Sequence, residues 1–140
     1  MSGSGCPACD GRWPSAAQRI ADCGSTVAYL HDDQFFPGWT VLVLKRHATE
    51  LFDLTREERG RLVDEVADVA RALAGEFQPV KVNYALLGNL IPHIHWHLIP
   101  RLVDDPVPRE PVWVVSHPPK PLGSVERDQR IDRIRRRLGG

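Results

Sequence analysis

The amino-acid sequence predicts an α+β fold, with a mostly antiparallel sheet, one long helix and a C-terminal helix. Two segments with strand character precede the long helical pattern, and two more follow it. Each pair is expected to form a hairpin, because short connections usually join neighbouring antiparallel strands. A length of 140 residues, with 42% hydrophobic and 26% charged residues, is typical of one globular domain. We therefore interpret residues 1–140 as a single domain.

The first hairpin is predicted from residues 26–44. Thr26 to Leu30 is expected to be a strand, and a polar turn with Pro37 and Gly38 follows it. The segment from 39 to 44 is almost continuously apolar, which is typical of a strand covered on both faces.

The long helix has the clearest pattern. Thr55 and Glu58 form a T-x-x-E capping box, which marks the start of a helix. Gly75 is expected to end it, since glycine readily adopts the left-handed conformation found at helix ends. Apolar residues recur between these limits at helical spacing and predict one buried face: Leu62, Val66, Val69 and Leu73.

The second hairpin is predicted from residues 80–101. "VKVNYALLG" (80–88) favours a strand, "GNLIP" a loop, and "HIHWHLIPR" (93–101) a further central strand.

A loop-rich tail, residues 102–140, follows the second hairpin. Its proline-dense first half is expected to be mostly loop, with a short strand around 112–115. Ser124 is expected to cap a last helix that runs to Leu138.

Charge and hydropathy exclude several classes of protein. Lys+Arg and Asp+Glu number 18 each, so the net charge favours neither a nucleic-acid partner nor a membrane surface. No apolar run approaches the roughly 20 residues that span a bilayer. The N-terminus has no apolar segment typical of a secretory signal, so we expect a cytoplasmic protein. In that compartment, cysteines are expected to be free thiols or metal ligands.

Three histidines at alternate positions are the most informative feature: His93, His95 and His97. On a strand they would project from one face, with neighbours about 6.6 Å apart. They could form a solvated polar face or a three-histidine metal site, although three ligands in a line wrap poorly around one tetrahedral ion. Nucleophilic catalysis fits better, because a neutral imidazole nitrogen attacks phosphorus well. The preceding Gly88 and Asn89 could receive a phosphate.

A second motif, "CPAC", places Cys6 and Cys9 at the C-x-x-C spacing that lets both thiolates reach one metal ion. This motif alone is also compatible with a redox pair or with two free thiols. No thioredoxin-like βαβ pattern surrounds it, which disfavours redox chemistry. Cys23 has no partner in such a scheme.

Together these motifs resemble the histidine triad family. "HIHWHLI" followed by Pro-Arg resembles its His-x-His-x-His motif, and "PGWTVLVLKRH" and "ELFDLTREE" resemble its upstream strand and the start of its helix. The resemblance runs from about Cys6 to Arg101 and implies a HIT-like fold. Trp39 departs from the pattern, since the family has a histidine after Pro-Gly.

The resemblance implies a nucleotide hydrolase or transferase that cleaves at the α-phosphate of an adenine nucleotide. The substrate would be a dinucleoside polyphosphate or a nucleoside phosphoramidate, and the enzyme a homodimer. His95 would form a covalent nucleotidyl-histidine, His97 would bond the transferring phosphoryl or the leaving group, and Asn89 a phosphate oxygen. The alternative is a non-catalytic, zinc-stabilised nucleotide-binding module.

The resemblance also implies further binding residues. In the bacterial branch, zinc would be held by four residues: Cys6, Cys9, His47 and His93. The N-terminal segment 1–25 would thereby become a zinc-binding segment. His31, Asp32 and Asp33 compete for the ribose hydroxyls, and Asn83 and Gly88 are expected to contribute to substrate binding.

Overall fold

The computed structural model describes residues 5–139 and consists of one five-stranded antiparallel sheet with two helices. The strands are β1 (Arg19–Asp22), β2 (Thr26–Leu30), β3 (Thr40–Leu44), β4 (Lys81–Leu86) and β5 (His95–Arg101), and the helices are α1 (Arg56–Phe77) and α2 (Ser124–Gly139). The strand order is β1-β2-β3-β5-β4. The predicted α+β class is confirmed.

Both helices pack on one face of the sheet. The main core contains apolar residues from β1, β2, β3, β5 and both helices, among them Leu30, Leu42, Val69, Leu98 and Ile134. Side chains alternate along a strand, so the residues between these core positions project from the opposite face. That face carries His95 and His97.

Helix α1 begins as predicted and ends later than predicted. Thr55 and Glu58 exchange both hydrogen bonds of the capping box. The helix passes through Gly75 and ends at Phe77, because Gln78 adopts the left-handed conformation with φ of 48°. Pro79 follows and has no N–H to continue the helix.

The second strand of the predicted second hairpin begins two residues later than expected. β5 starts at His95, whereas the N–H of His93 donates to the carbonyl of Ile91 over 2.8 Å and forms a tight turn. Ile94 then pairs with the loop after β3, where its N–H donates to Ala48. The side chain of His93 is therefore not in line with the other two histidines.

Two further elements differ from the sequence-based expectation. The sequence did not indicate β1, which is only four residues long and mixes charged with apolar side chains. The strand expected around 112–115 is wrong: Val112–Val114 is one turn of 3₁₀ helix, which starts directly after Pro111. Among the described residues, none of the helices is long and apolar enough to cross a membrane.

Candidate active site and metal centre

Four potential metal ligands from three parts of the chain meet just before β5. Their two sulfurs and two imidazole nitrogens lie within 4.8 Å of one another: Cys6, Cys9, His47 and His93. Cys6 Sγ is 3.5 Å from His93 Nδ1. Cys9 Sγ is 3.3 Å from His47 Nδ1, and the two Nδ1 atoms are 3.2 Å apart.

This donor set fits a tetrahedral zinc ion. Zinc bonds of about 2.3 Å to sulfur and about 2.0 Å to nitrogen place neighbouring ligand atoms about 3.3–3.8 Å apart, close to the distances observed here. His93 is also oriented for such a role, because its Nε2 donates to the carbonyl of Leu44 over 2.6 Å. A carbonyl can only accept, so the lone pair of His93 is on Nδ1, the atom nearest the thiols.

His95 is 5% exposed and is held by the turn that precedes it. Its Nδ1 donates to the carbonyl of His93 over 2.7 Å, so its lone pair is on Nε2. Burial lowers the pKa of His95, which keeps the ring neutral near pH 7. The indole of Trp13 meets this ring edge-on, with the ring centroids 4.9 Å apart.

His97 is held in the opposite tautomer by Trp39. The indole Nε1–H of Trp39 donates to His97 Nδ1 over 3.1 Å. Because an indole N–H can only donate, Nδ1 is the acceptor and the proton of the neutral ring is on Nε2. Burial, followed by the nearby imidazoles of His95 and His31, lowers the pKa of His97 to about 3.

The three candidates for ribose binding differ in what already bonds them. The His31 ring stacks on Trp39 at a centroid distance of 4.1 Å. Asp32 accepts from the amide of Gln18 and lines, with His31, a cavity of about 200 Å³. Asp33 accepts backbone N–H groups from two segments, at Phe35 and Lys120. Of the two carboxylates, Asp33 therefore makes more hydrogen bonds that hold loop segments together.

The predicted phosphate-binding residues lie on a different segment from Asn83. Gly88 has φ of 89°, and Asn89 beside it is exposed in the loop that leads to the histidines. Asn83 is on β4, where its Oδ1 accepts from Arg101 over 2.7 Å. It lines a cavity of about 610 Å³ next to Trp113.

The comparison with known families shows to which family this chain belongs. The model of the HIT domain family matches residues 15–103. The chain belongs to the histidine triad family. HIT proteins bind nucleotide substrates and are generally nucleotide hydrolases or transferases.

Several proteins are similar to this HIT protein in sequence or in structure. A histidine triad protein from Bradyrhizobium japonicum is 33% identical, with a TM-score of 0.79 over 86% of this chain and 89% of that chain. Protein hit of Bacillus subtilis (strain 168) is 29% identical over 101 residues, which are 69% of this chain and 68% of that protein. A Zn-bound histidine triad family protein from Mycobacterium smegmatis has a TM-score of 0.72 at 22% identity, over 99% of this chain and 96% of that chain.

Sequence reasoning did not assign three tryptophans of this HIT protein to the site. Trp13 lies against His95, and Trp113 lies against His97 with ring centroids 5.1 Å apart. Trp39 was noted only as a departure from the family pattern. Neither Trp13 nor Trp113 lies in a motif, and their only signal is a large aromatic side chain in a proline-containing segment.

Proposed function

We propose that this HIT protein cleaves adenine nucleotides at the α-phosphate through a covalent nucleotidyl intermediate on His95. The hydrogen bond from His95 Nδ1 to the backbone of His93 carries the proposal, since it leaves the lone pair on Nε2. A neutral imidazole in this form is a good nucleophile towards phosphorus. The candidate substrates are dinucleoside polyphosphates and nucleoside phosphoramidates.

The reaction has two displacement steps. First, the Nε2 lone pair of His95 forms a bond to the α-phosphorus, and the bond to the leaving group breaks with its electron pair. Water then attacks the same phosphorus, the P–Nε2 bond breaks, and the nucleoside monophosphate leaves as the water loses a proton to solvent. His95 Nδ1–H remains bonded to the carbonyl of His93, which stabilises the positive charge of the substituted ring.

The remaining roles follow from position and donor chemistry. His97 offers its Nε2–H to a phosphoryl or leaving-group oxygen. Asn89 binds a phosphate oxygen, and Gly88 allows the loop to approach it with a positive φ. Further nucleotide contacts are assigned to His31, Asp32 and Asn83.

The proposal includes a structural zinc ion on the four ligands Cys6, Cys9, His47 and His93. The protein would supply all four ligands, which is typical of structural sites and leaves no position for substrate. A bound ion would neutralise the thiolates and cross-link the N-terminal segment to the turn before β5. The Zn-bound relative from Mycobacterium smegmatis supports this assignment. A cytoplasmic location fits it as well, because thiols stay reduced there.

We also infer a homodimer that forms along β4, the strand at one edge of the described sheet. Tyr84 on this strand is 49% exposed, and Leu87 just after it is 55% exposed. An edge with unpaired backbone groups and apolar side chains is suited to pairing with a second chain. Light scattering after size-exclusion chromatography should give a dimer mass, and Tyr84→Glu should reduce it to that of a monomer.

The release of AMP tests the catalytic proposal. Diadenosine triphosphate and adenosine phosphoramidate are incubated with wild type, His95→Ala and the matched control His117→Ala, whose ring lies against Phe35 outside the triad. His95→Ala should lower kcat/KM by about 1,000-fold or more while AMP still binds. His117→Ala should retain turnover. A wild-type protein that binds AMP but releases none from either substrate would instead be the non-catalytic binding module.

A further inference from the structure

The contact between Trp39 and His97 is built into the fold. Trp39 immediately precedes β3, is buried, and has its ring stacked on His31 with only 8° between the ring planes. Its backbone carbonyl accepts from both the N–H of His31 and the side chain of Gln34. These contacts hold the indole in place, so its N–H remains directed at His97 Nδ1.

This hydrogen bond restricts what His97 can do chemically. A proton on Nδ1 would set two N–H donors against each other across 3.1 Å. The loss of the Nε2 proton would leave an imidazolate, which is far too basic to form near neutral pH. His97 can therefore donate a hydrogen bond, but it has no proton to give away.

The surroundings of His97 reinforce the restriction. The rings that face it are the imidazoles of His95 and His31 and the indoles of Trp39 and Trp113. Within residues 5–139, no carboxylate oxygen lies within 4.0 Å of its ring nitrogens to favour an imidazolium. The low pKa of His97, caused first by burial, agrees with this arrangement.

We propose that Trp39 is a positioning residue that fixes His97 as a neutral hydrogen-bond donor and so restricts this enzyme to leaving groups that depart as anions. The inference rests on the proposed function. When the α-phosphorus bonds to His95 Nε2, a phosphate or sulfate leaving group can depart with the electron pair of the broken P–O bond and no added proton. The nitrogen of an amine leaving group must be protonated before its P–N bond breaks, and His97 does not supply that proton.

Nitrogen-15 NMR of the imidazole rings tests the positioning role without any substrate. His97 signals are assigned by their loss in His97→Gln. In wild type the ring should be protonated on Nε2 only, from about pH 5 to about pH 8. Trp39→Phe keeps an aromatic ring but removes the N–H, so His97 should then populate both tautomers and titrate. Trp113→Phe is the matched control and should leave the tautomer unchanged, because the bond to Nδ1 comes from Trp39.

Two results would overturn this role. One is a wild-type His97 protonated on Nδ1, which would mean that the indole does not donate to it. The other is a Trp39→Phe protein that is folded by circular dichroism and still has a fixed Nε2–H tautomer.

A substrate pair tests the consequence for the reaction. Wild type should cleave diadenosine triphosphate with a kcat/KM about 100-fold or more above that for adenosine N-alkylphosphoramidate, the usual contribution of a general acid. Trp39→Phe should narrow this ratio at low pH, where His97 can become an acid. Equal or faster cleavage of the phosphoramidate by wild type would overturn the inference but not the proposed function. Failure to cleave either substrate would overturn both.

Discussion

His95 and His97 are neighbouring neutral imidazoles in opposite tautomers, with ring centroids 5.2 Å apart. His95 is fixed by the backbone carbonyl of His93, and His97 by the indole of Trp39. His95 therefore has its lone pair on Nε2, whereas His97 has its proton on Nε2. Both hydrogen bonds are already made within the protein, so the proposed roles of nucleophile and hydrogen-bond donor need no change of tautomer in either ring.

The proposed zinc site gives the first prediction. Wild type should contain about one zinc ion per chain, and Cys6→Ser should lose it and unfold at a lower Tm, since a structural ion contributes to folding. The ratio is measured by elemental analysis and the Tm by differential scanning calorimetry. Cys23→Ser is the matched control, because this half-buried thiol lies outside the four-ligand cluster. A ratio near zero in wild type would refute the site, as would loss of zinc only when His95 and His97 are replaced.

The buried histidines give a prediction about pH. Burial lowers the pKa of His97 to about 3 and also lowers those of His95 and His31, whereas each is near 6.5 in an unfolded chain. Below about pH 6.5 the unfolded state therefore binds protons that the folded state does not, so the free energy of unfolding decreases as the pH is lowered. Above about pH 7 all are neutral and contribute nothing to the slope. His97 alone should contribute about 1.4 kcal/mol per pH unit between about pH 6 and pH 3.

Urea unfolding of the chelator-treated protein between about pH 7.5 and pH 5 measures this slope without any contribution from metal release. In His97→Gln the free energy of unfolding should depend less steeply on pH. The slope should decrease by up to about 1.4 kcal/mol per pH unit, which corresponds to one bound proton. An unchanged slope in this variant would mean that His97 is protonated in the folded protein at about pH 5.

The features that the sequence predicted well are those set by neighbours along the chain. The start of α1 depends on Thr55 and Glu58, which are three residues apart. The projection of His95 and His97 from the same face of the sheet depends only on the alternation of side chains along a strand. The turn at His93 was missed because alternation alone does not reveal where a strand begins. The bond between Trp39 and His97 joins residues 58 positions apart and exists only because β3 pairs with β5 in this register.

A buried carboxylate gives a prediction about stability. Glu65 on α1 is 6% exposed and accepts three hydrogen bonds, from the backbone and hydroxyl of Ser25 and from the hydroxyl of Thr26. It thereby attaches the long helix to the turn between β1 and β2. Glu65→Ala should lower the free energy of unfolding by about 3 kcal/mol or more, because several donors lose a charged acceptor. Asp64→Ala, on the exposed side of the same helix, should change it by no more than about 0.5 kcal/mol in urea unfolding. Equal effects of the two substitutions would contradict this role.

Arg101 gives the last prediction, which concerns the loop that carries Trp113. The guanidinium is 3% exposed and pairs with Asp105 over 2.6 Å. It also donates to Asn83 on β4 and to the carbonyls of Val107 and Glu110 in the loop. An ammonium group has three donors and no planar fork, so Arg101→Lys cannot reproduce these bonds.

Arg101→Lys should therefore destabilise the fold by about 3 kcal/mol, because several buried acceptors lose a charged hydrogen-bond donor. It should also make residues 102–112 susceptible to limited proteolysis, since the bonds of Arg101 hold this loop against the sheet. The matched control is Arg46→Lys, whose pair with Glu58 is exposed to solvent and should contribute little to stability. Proteolysis of the loop at the wild-type rate in Arg101→Lys would show that other contacts hold it. If the loop is released, the Trp113 ring also loses its position beside His97, so the proposed nucleotide cleavage should become slower as the loop loses its protection from the protease.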